Sequence, residues 1–574
     1  MIDRPVQPMY TAVDLVICAG YFLAIVAVGF LSSRRQKASV QGYFRADNRL
    51  PWYAIGFSIV AAGVSSEQFV GEVGYAYKLG MPVANWEWLV WPGLSLLLWV
   101  FVPLYVRNNI ATMPEYLERR FGVRCRRLYA GLTIGTYVLV NFALVFYTGG
   151  FALEKMWGVN RLAAVWLLAA ITGAYTVYGG LTAVAWTSSL QCILLLGGGI
   201  YVFLAGLSLI HWDFAAVLGT GQRAHLFTPA DHEVPWNALL VLMLSTNVWY
   251  YTTNQHINQR CLAARNEWHA KLGVLFSAAL QLLIPLATCF PGMIYRVLNP
   301  HLDNPDVAYP AVVAAVVPIG FRGLVVAAVI SGIMSTVAGL VNSTSTMVTL
   351  DFFQGWKGHA WSEKRLVSVG RWSGAIALLI GALFAPIVMR WENIFRYAQD
   401  LLAPMAAPVV VVFLAGALWP RARERGALVC LWLSLLAVPF TLVRAVLADH
   451  GVHFLPANLE NPMVFAGAYG LISLVVMVAL SASERRVLMW AVLAAASGAI
   501  LCLAARSPSL IAITLLIATL GSVFPLMVAR RKPGDNLWDR SMLSSNAAGG
   551  WWANLWFWWA LLGAILVGIY IKFW

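Results

Sequence analysis

Midway through residues 54–75, AIGFSIVAAGVSSEQFVGEVGY, an apolar helix stops being apolar. Gly63, Ser65, Ser66, Glu67 and Gln68 fall at mid-bilayer depth, where every backbone N–H and C=O needs a partner in the protein or a wet cavity. Carbonyls released at such an interruption are ready cation ligands, and the polar side chains beside it face whatever fills the cavity. A kink with serines bonded back to their own turn explains Gly-Val-Ser-Ser alone. Glu67 and Gln68 add more than a kink needs. A second stretch sets Ser335 and Thr336 side by side one turn after Gly332, so two hydroxyls and a carbonyl can converge. Sodium takes hard, mostly neutral oxygens of this kind and requires no carboxylate. A third stretch carries Ser245, Thr246, Asn247, Tyr250, Tyr251, Thr252, Thr253 and Asn254 where a span is ordinarily apolar. The chemistry on offer is ion and solute binding.

Nothing points to catalysis. The nine His are scattered, without an HExxH pair, and no paired acids, metal cluster or activated nucleophile emerges from the pattern. The seven Cys include no CxxC and make neither a disulfide framework nor a metal site.

The elements that must position these groups are membrane spans. With 60% hydrophobic and 11% charged residues over a length of 574, the composition is that of an all-α polytopic membrane protein. Apolar runs predict spans at 12–31, 51–72, 82–106, 127–150, 161–178, 184–210, 236–257, 271–297, 321–350, 368–390, 395–419, 426–446, 462–481, 487–506, 508–529 and 551–573. The expected total is 14–16, since Ser507-Pro508-Ser509 can lie within one bent unit. The first run has no small-residue cleavage motif after it and is expected to be retained rather than removed as a signal peptide.

The net charge of +14 sits in alternate short loops, so it marks membrane orientation rather than a nucleic-acid partner. One set of loops holds Arg34, Arg35, Lys37, Arg45 and Arg49, then Arg119, Arg120, Arg124, Arg126 and Arg127, and later Arg260, Arg265, Lys271, Arg421, Arg423 and Arg425. The opposite loops carry isolated charges such as Lys78, Lys155 and Arg223. This predicts cytoplasmic basic loops and an N-terminus outside. The Trp clusters at 86–91 and 551–559 are expected to be interfacial anchors. Gly197-Gly198-Gly199 lies inside a span and predicts close helix approach, not a phosphate loop. The interrupted spans at 51–72 and 236–257 stand five spans apart, the sequence pointer to an inverted-repeat transporter.

The chain resembles the sodium–solute symporter family, and within it the sodium–glucose cotransporter branch. The stretches that carry the likeness are RADNRLPWYAIGFSIVAAGVSSEQFVG at 45–71, GGLTAVAWTSSLQ at 179–191, NVWYYTTNQHINQRCLAA at 247–264, ISGIMSTVAGLVNSTSTMVTLD at 330–351 and FRYAQDLLAP at 395–404. The resemblance implies a five-plus-five inverted-repeat core. Residues 1–50 would hold a leading helix and loop, 51–210 the first repeat, 236–419 the second and 426–574 peripheral helices. It implies a sodium site built from carbonyls of Ala61, Val64 and Gly332 and the hydroxyls of Ser335 and Thr336. It implies a sugar site from Gln68, Glu87, Asn247 and Gln399, with Tyr250 as an aromatic inner gate. Amides and carboxylates pair well with sugar hydroxyls, and an aromatic ring covers the apolar face of a pyranose. By itself Glu87, in NWEWL, reads as an interfacial solvated charge.

Two departures from the family pattern bear on substrate and coupling. Gln281 stands where sugar-transporting relatives often carry Lys, which keeps hydrogen bonding to a hydroxyl and loses the positive charge. Ser188 stands in Trp186-Thr187-Ser188 where many relatives have Asp, and Ala338 and Gly339 replace hydroxyl residues after the Ser-Thr pair. The expectation is therefore sodium-coupled symport of a sugar, one sodium per small neutral solute, in a bacterial inner membrane. The alternatives are another neutral solute, such as an inositol, polyol or nucleoside, and a solute sensor that does not transport.

Overall fold

The computed structural model describes residues 11–34, 39–65, 67–229, 231–354, 361–388, 394–452, 459–481, 537–544 and 553–574, excluding the side chains of 387–388, 394–400, 445, 448–449 and 540. Among the described residues every element is helical, apart from a single bridge pairing Leu50 with Ala264. The long helices are α1 (Ala12–Ser33), α2 (Trp52–Gly63), α3 (Glu67–Leu79), α4 (Met81–Arg107), α5 (Val123–Trp157) and α6 (Arg161–Leu209). There follow α7 (236–253), α8 (Gln255–Leu262), α9 (Glu267–Gln281), α10 (Ile284–Leu298), α11 (Arg322–Gln354) and α12 (Glu363–Val388). The last are α13 (Ile394–Leu418), α14 (Glu424–Asp449), α15 (Pro462–Ser481) and α16 (Leu555–Lys572). The expected spans at 487–506 and 508–529 lie outside the described residues.

The helices divide by burial. In α11, 94% of the apolar window is buried, against 17% in α1 and 11% in α16. A helix apolar all round and buried all round belongs to the centre of the bundle, and one apolar and exposed faces hydrocarbon. Asn342, Ser343 and Thr344 match a glycosylation acceptor pattern but lie in the buried part of α11, not in a surface loop. Small residues let α6 approach its neighbours: a Cβ on Gly198 would meet Ala328 at 2.9 Å, and one on Gly199 would meet Ala287 at 2.3 Å.

Three expectations need correction. Spans 161–178 and 184–210 have no loop between them. The two expected helices meet directly, and the 49 residues of α6 are that pair joined at a kink at Gly180, where φ is 57° and ψ −153°. A side chain there would strike the Tyr43 carbonyl at 2.5 Å, so only glycine fits the fold. Second, the span at 271–297 is bent by 41° between α9 and α10, where Pro285 opens the second half. Third, the Trp residues do more than anchor an interface. Trp556 stacks on Trp99 at 3.8 Å and Trp559 on Trp91 at 5.8 Å, so aromatic stacking docks α16 along α4.

Contacts between loops sort the chain ends of the helices into two groups. At one end Asp14 accepts from the Gly323 N–H at 2.7 Å, Tyr570 donates to Asn85 at 2.6 Å, the Leu226 N–H reaches the Phe573 carbonyl at 2.7 Å, and Lys78 pairs with Glu233. At the other, Arg45 bonds Asn109, Arg107 pairs with Glu267, Arg120 bonds the Gly416 carbonyl, Arg126 pairs with Asp351 and Lys271 bonds the Met542 carbonyl. The basic loops picked out by alternation in the sequence meet at this second end.

Candidate functional site

The site is built on the gap between α2 and α3. Val64 leaves the helix with φ −104° and ψ 111°. Gln68 closes the gap from within: its Oε1 accepts from the Ser65 N–H at 2.8 Å and the Ser65 hydroxyl at 3.2 Å, and its Nε2 donates to the Gly63 carbonyl at 3.1 Å. The Gln68 N–H goes to Ser65 O at 3.3 Å. Both helical donors are thereby diverted, the Ser65 N–H from the Ala61 carbonyl and the Gln68 N–H from the Val64 carbonyl. Ala61 and Val64, two of the expected sodium ligands, are left with oxygens free of the helical ladder.

Helix α11 faces this gap. A Cβ on Gly332 would lie 2.9 Å from the Val64 carbonyl oxygen, so the absence of a side chain lets the two elements close. Thr336 donates to the Ala62 carbonyl at 3.2 Å. Ser335 shares a 2.7 Å hydrogen bond with Ser188 on α6. The five expected sodium residues thus come from two facing elements, and Ser188, read in the sequence only as a departure, adds a third hydroxyl. All are buried. The donors are neutral carbonyls and hydroxyls, hard oxygens that fit a monovalent cation.

Above this cluster lies a cavity of about 120 Å³ lined by Gln68, Glu87, Asn247, Tyr250 and Thr336 among others. Four of the expected sugar-site residues therefore share one space, and Thr336, one of the expected sodium ligands, lines it with them. Tyr250 directs its hydroxyl to the Ala62 carbonyl at 3.4 Å and lies 3.3 Å from His256 Nε2. Gln281 sits behind the lining, where its amide donates to Glu87. Glu87 is buried at 5% exposure and lines the cavity beside Gln281 at the end of α9, so it is not the solvated interfacial charge that it reads as by itself. Gln399 lies on α13 with its side chain outside the described residues.

Sequence reasoning missed Glu72 and His256 as lining residues. Residues Glu67–Glu72 form π-helical turns, with about five residues per hydrogen-bonded loop, which turn both carboxylates to the cavity. An α-helical period does not place them together. Glu72 is buried and accepts from the Cys289 thiol at 2.9 Å.

The sodium:solute symporter family model matches residues 43–434. A sodium/glucose cotransporter of Vibrio parahaemolyticus is 31% identical over 75% of this chain and 84% of its own length. A sodium/myo-inositol cotransporter 2 of Sus scrofa is 34% identical over 76% and 70%. Among solved structures, a sodium-coupled sialic acid symporter in a substrate-bound outward-open state superposes with TM-score 0.69 at 23% identity, covering 81% of this chain and 97% of that one. This likeness gives the fold, a five-plus-five inverted-repeat core with one leading helix and further helices at the C-terminal side.

Proposed function

The chain belongs to the sodium:solute symporter family, and from that premise we propose that it carries a hexose-like sugar into the cell with one sodium ion per sugar. Sodium-coupled movement of a small solute across a membrane is what the family does; the sugar and the ratio are this proposal. The observation that supports it is the shared wall. Thr336 lines the cavity and also bonds the Ala62 carbonyl at the helix gap, so filling one space bears on the other. Sodium is held by Ala61, Val64, Gly332, Ser335 and Thr336. The sugar is held by Gln68, Glu87, Asn247, Gln281 and Gln399, with Tyr250 as the inner gate. Residues 51–210 and 236–419 are the two repeats that rock against each other, 1–50 carry the leading helix and 426–574 the peripheral ones. The end where the basic loops meet is cytoplasmic, which puts the N-terminus outside a bacterial inner membrane.

Entry of one sodium draws about 2.3 kcal/mol per 100 mV of membrane potential, besides its concentration gradient. A single sodium follows from the neutral set around Ser335, where Ser188 supplies a hydroxyl and no charge. A cyclic polyol such as inositol is the second reading, favoured by inositol relatives as similar to this chain as the glucose one.

The test is uptake of labelled hexoses and myo-inositol into proteoliposomes with and without an inward sodium gradient, beside Gln68→Ala and Ser335→Ala. Sodium-dependent hexose uptake that both variants lose supports the reading. Uptake of inositol alone moves it to the polyol, and a sodium-to-sugar ratio of two removes the single-ion proposal.

A further inference from the structure

Three carboxylates, Glu67, Glu72 and Glu87, line the cavity, and His256 is the sole basic side chain among its lining residues. Glu87 receives the Gln281 amide, and one oxygen of Glu72 receives the Cys289 thiol. The second Glu72 oxygen is buried without a hydrogen-bond partner, as are the Asn247 amide nitrogen and the Thr246 hydroxyl on the same wall. The buried guanidinium of the region, Arg260, bonds Ser58 at 2.6 Å and is not among the lining residues. Glu72 and Glu87 share the wall of this cavity. Two carboxylates in a buried space are costly when both are charged, and either a proton held on one of them or a cation between them relieves that cost. A neutral sugar offers hydroxyls to Asn247, Thr246 and the carboxylates but brings no positive charge to offset them.

Resting on the sugar-symport reading, we infer that the cargo is a polyhydroxylated ring bearing a protonated amine, an amino sugar or aminocyclitol, with its ammonium seated against Glu72 and Glu87. This departs from the neutral solute expected from the sequence. The ammonium supplies up to three donors, enough for the free Glu72 oxygen and for Glu87, while the ring hydroxyls meet Asn247 and Thr246.

The test compares sodium-driven uptake of labelled glucosamine and glucose by the full-length protein in proteoliposomes, at a pH that keeps the amine protonated. Glucosamine should be favoured at least about tenfold in kcat/KM, the worth of a charge-assisted bond. Glu72→Gln should shrink that ratio about tenfold, and Gln281→Lys, which puts a resident cation beside Glu87, should shrink it further. The wild-type ratio decides the matter even where a variant fails to fold. Glucose taken up as well as glucosamine, with sodium dependence intact, overturns this inference and leaves the symporter reading standing. No sodium-dependent uptake of either sugar, nor of inositol, overturns both.

Discussion

The gap between α2 and α3 and the gap between α7 and α8 are closed in opposite ways. At the first, the partners are local: Gln68 reaches back to Ser65 and Gly63. At the second, between α7 and α8, Asn254 is extended with φ −74° and ψ 125°, and the partners come mostly from other helices. Tyr105 on α4 donates to the Thr252 carbonyl and Tyr129 on α5 to the Thr253 carbonyl, both at 2.9 Å. Tyr137, also on α5, donates to the Asn254 side chain and accepts the His256 N–H at 3.2 Å. Only Asn258 answers locally, bonding the Tyr251 and Asn254 carbonyls. The first gap uses one side chain to shape the backbone and to line the cavity. The second hands its backbone to tyrosines that lie outside the cavity lining, so its stability and its function are separable.

That contrast predicts a graded series. Gln68→Ala should have the largest effect, at least about a hundredfold loss of sodium-driven uptake. It removes a cavity amide and takes their side-chain partner from the Ser65 N–H and the Gly63 carbonyl, at about 1–3 kcal/mol for a group left unsatisfied. Near-normal initial uptake rates would show that the two duties of Gln68 are not joined. Ser335→Ala comes next. The concentration of sodium for half-maximal uptake should rise about tenfold, the loss of one hard oxygen donor. Thr253→Val, at the second gap, should leave that concentration unchanged, since its hydroxyl only bonds the Trp249 carbonyl of its own helix.

Tyr137→Phe should then lower stability by about 1–3 kcal/mol, seen as an earlier thermal midpoint in detergent, because it strands two groups at once. Its sodium dependence should match wild type, and a shift there would erase the distinction between the gaps. Tyr129→Phe is the smallest, about 1 kcal/mol for one lost donor to a carbonyl.

How legible each part was follows from where its partners sit. The first gap could be read from 54–75 because Gly63, Ser65 and Gln68 lie within one or two turns of each other. The grouping of Gly332, Ser335 and Thr336 was readable for the same reason. Glu72 stood in the same quoted stretch and was passed over, because a π-helical turn, not the α-helical period, brings it to the cavity. Glu87 was placed at the site by the family resemblance and not by its position near a span end, since its burial depends on packing beside Gln281 at the end of α9. The Trp residues of α16 were taken for anchors because stacking on Trp91 and Trp99 spans more than four hundred residues of chain.

By itself, then, the sequence determined that the chain crosses a membrane many times, that two spans are broken and that neutral oxygens gather at the first break. Those features rest on hydropathy and on hydrogen bonds a few residues long, which leave fixed spacings in the sequence. The tertiary structure decided what closes the second break and that Glu72, Glu87, Gln281 and Cys289 form one cluster. Such contacts join side chains roughly two hundred positions apart, and they exist only once packing has brought their helices together, so no spacing along the chain records them.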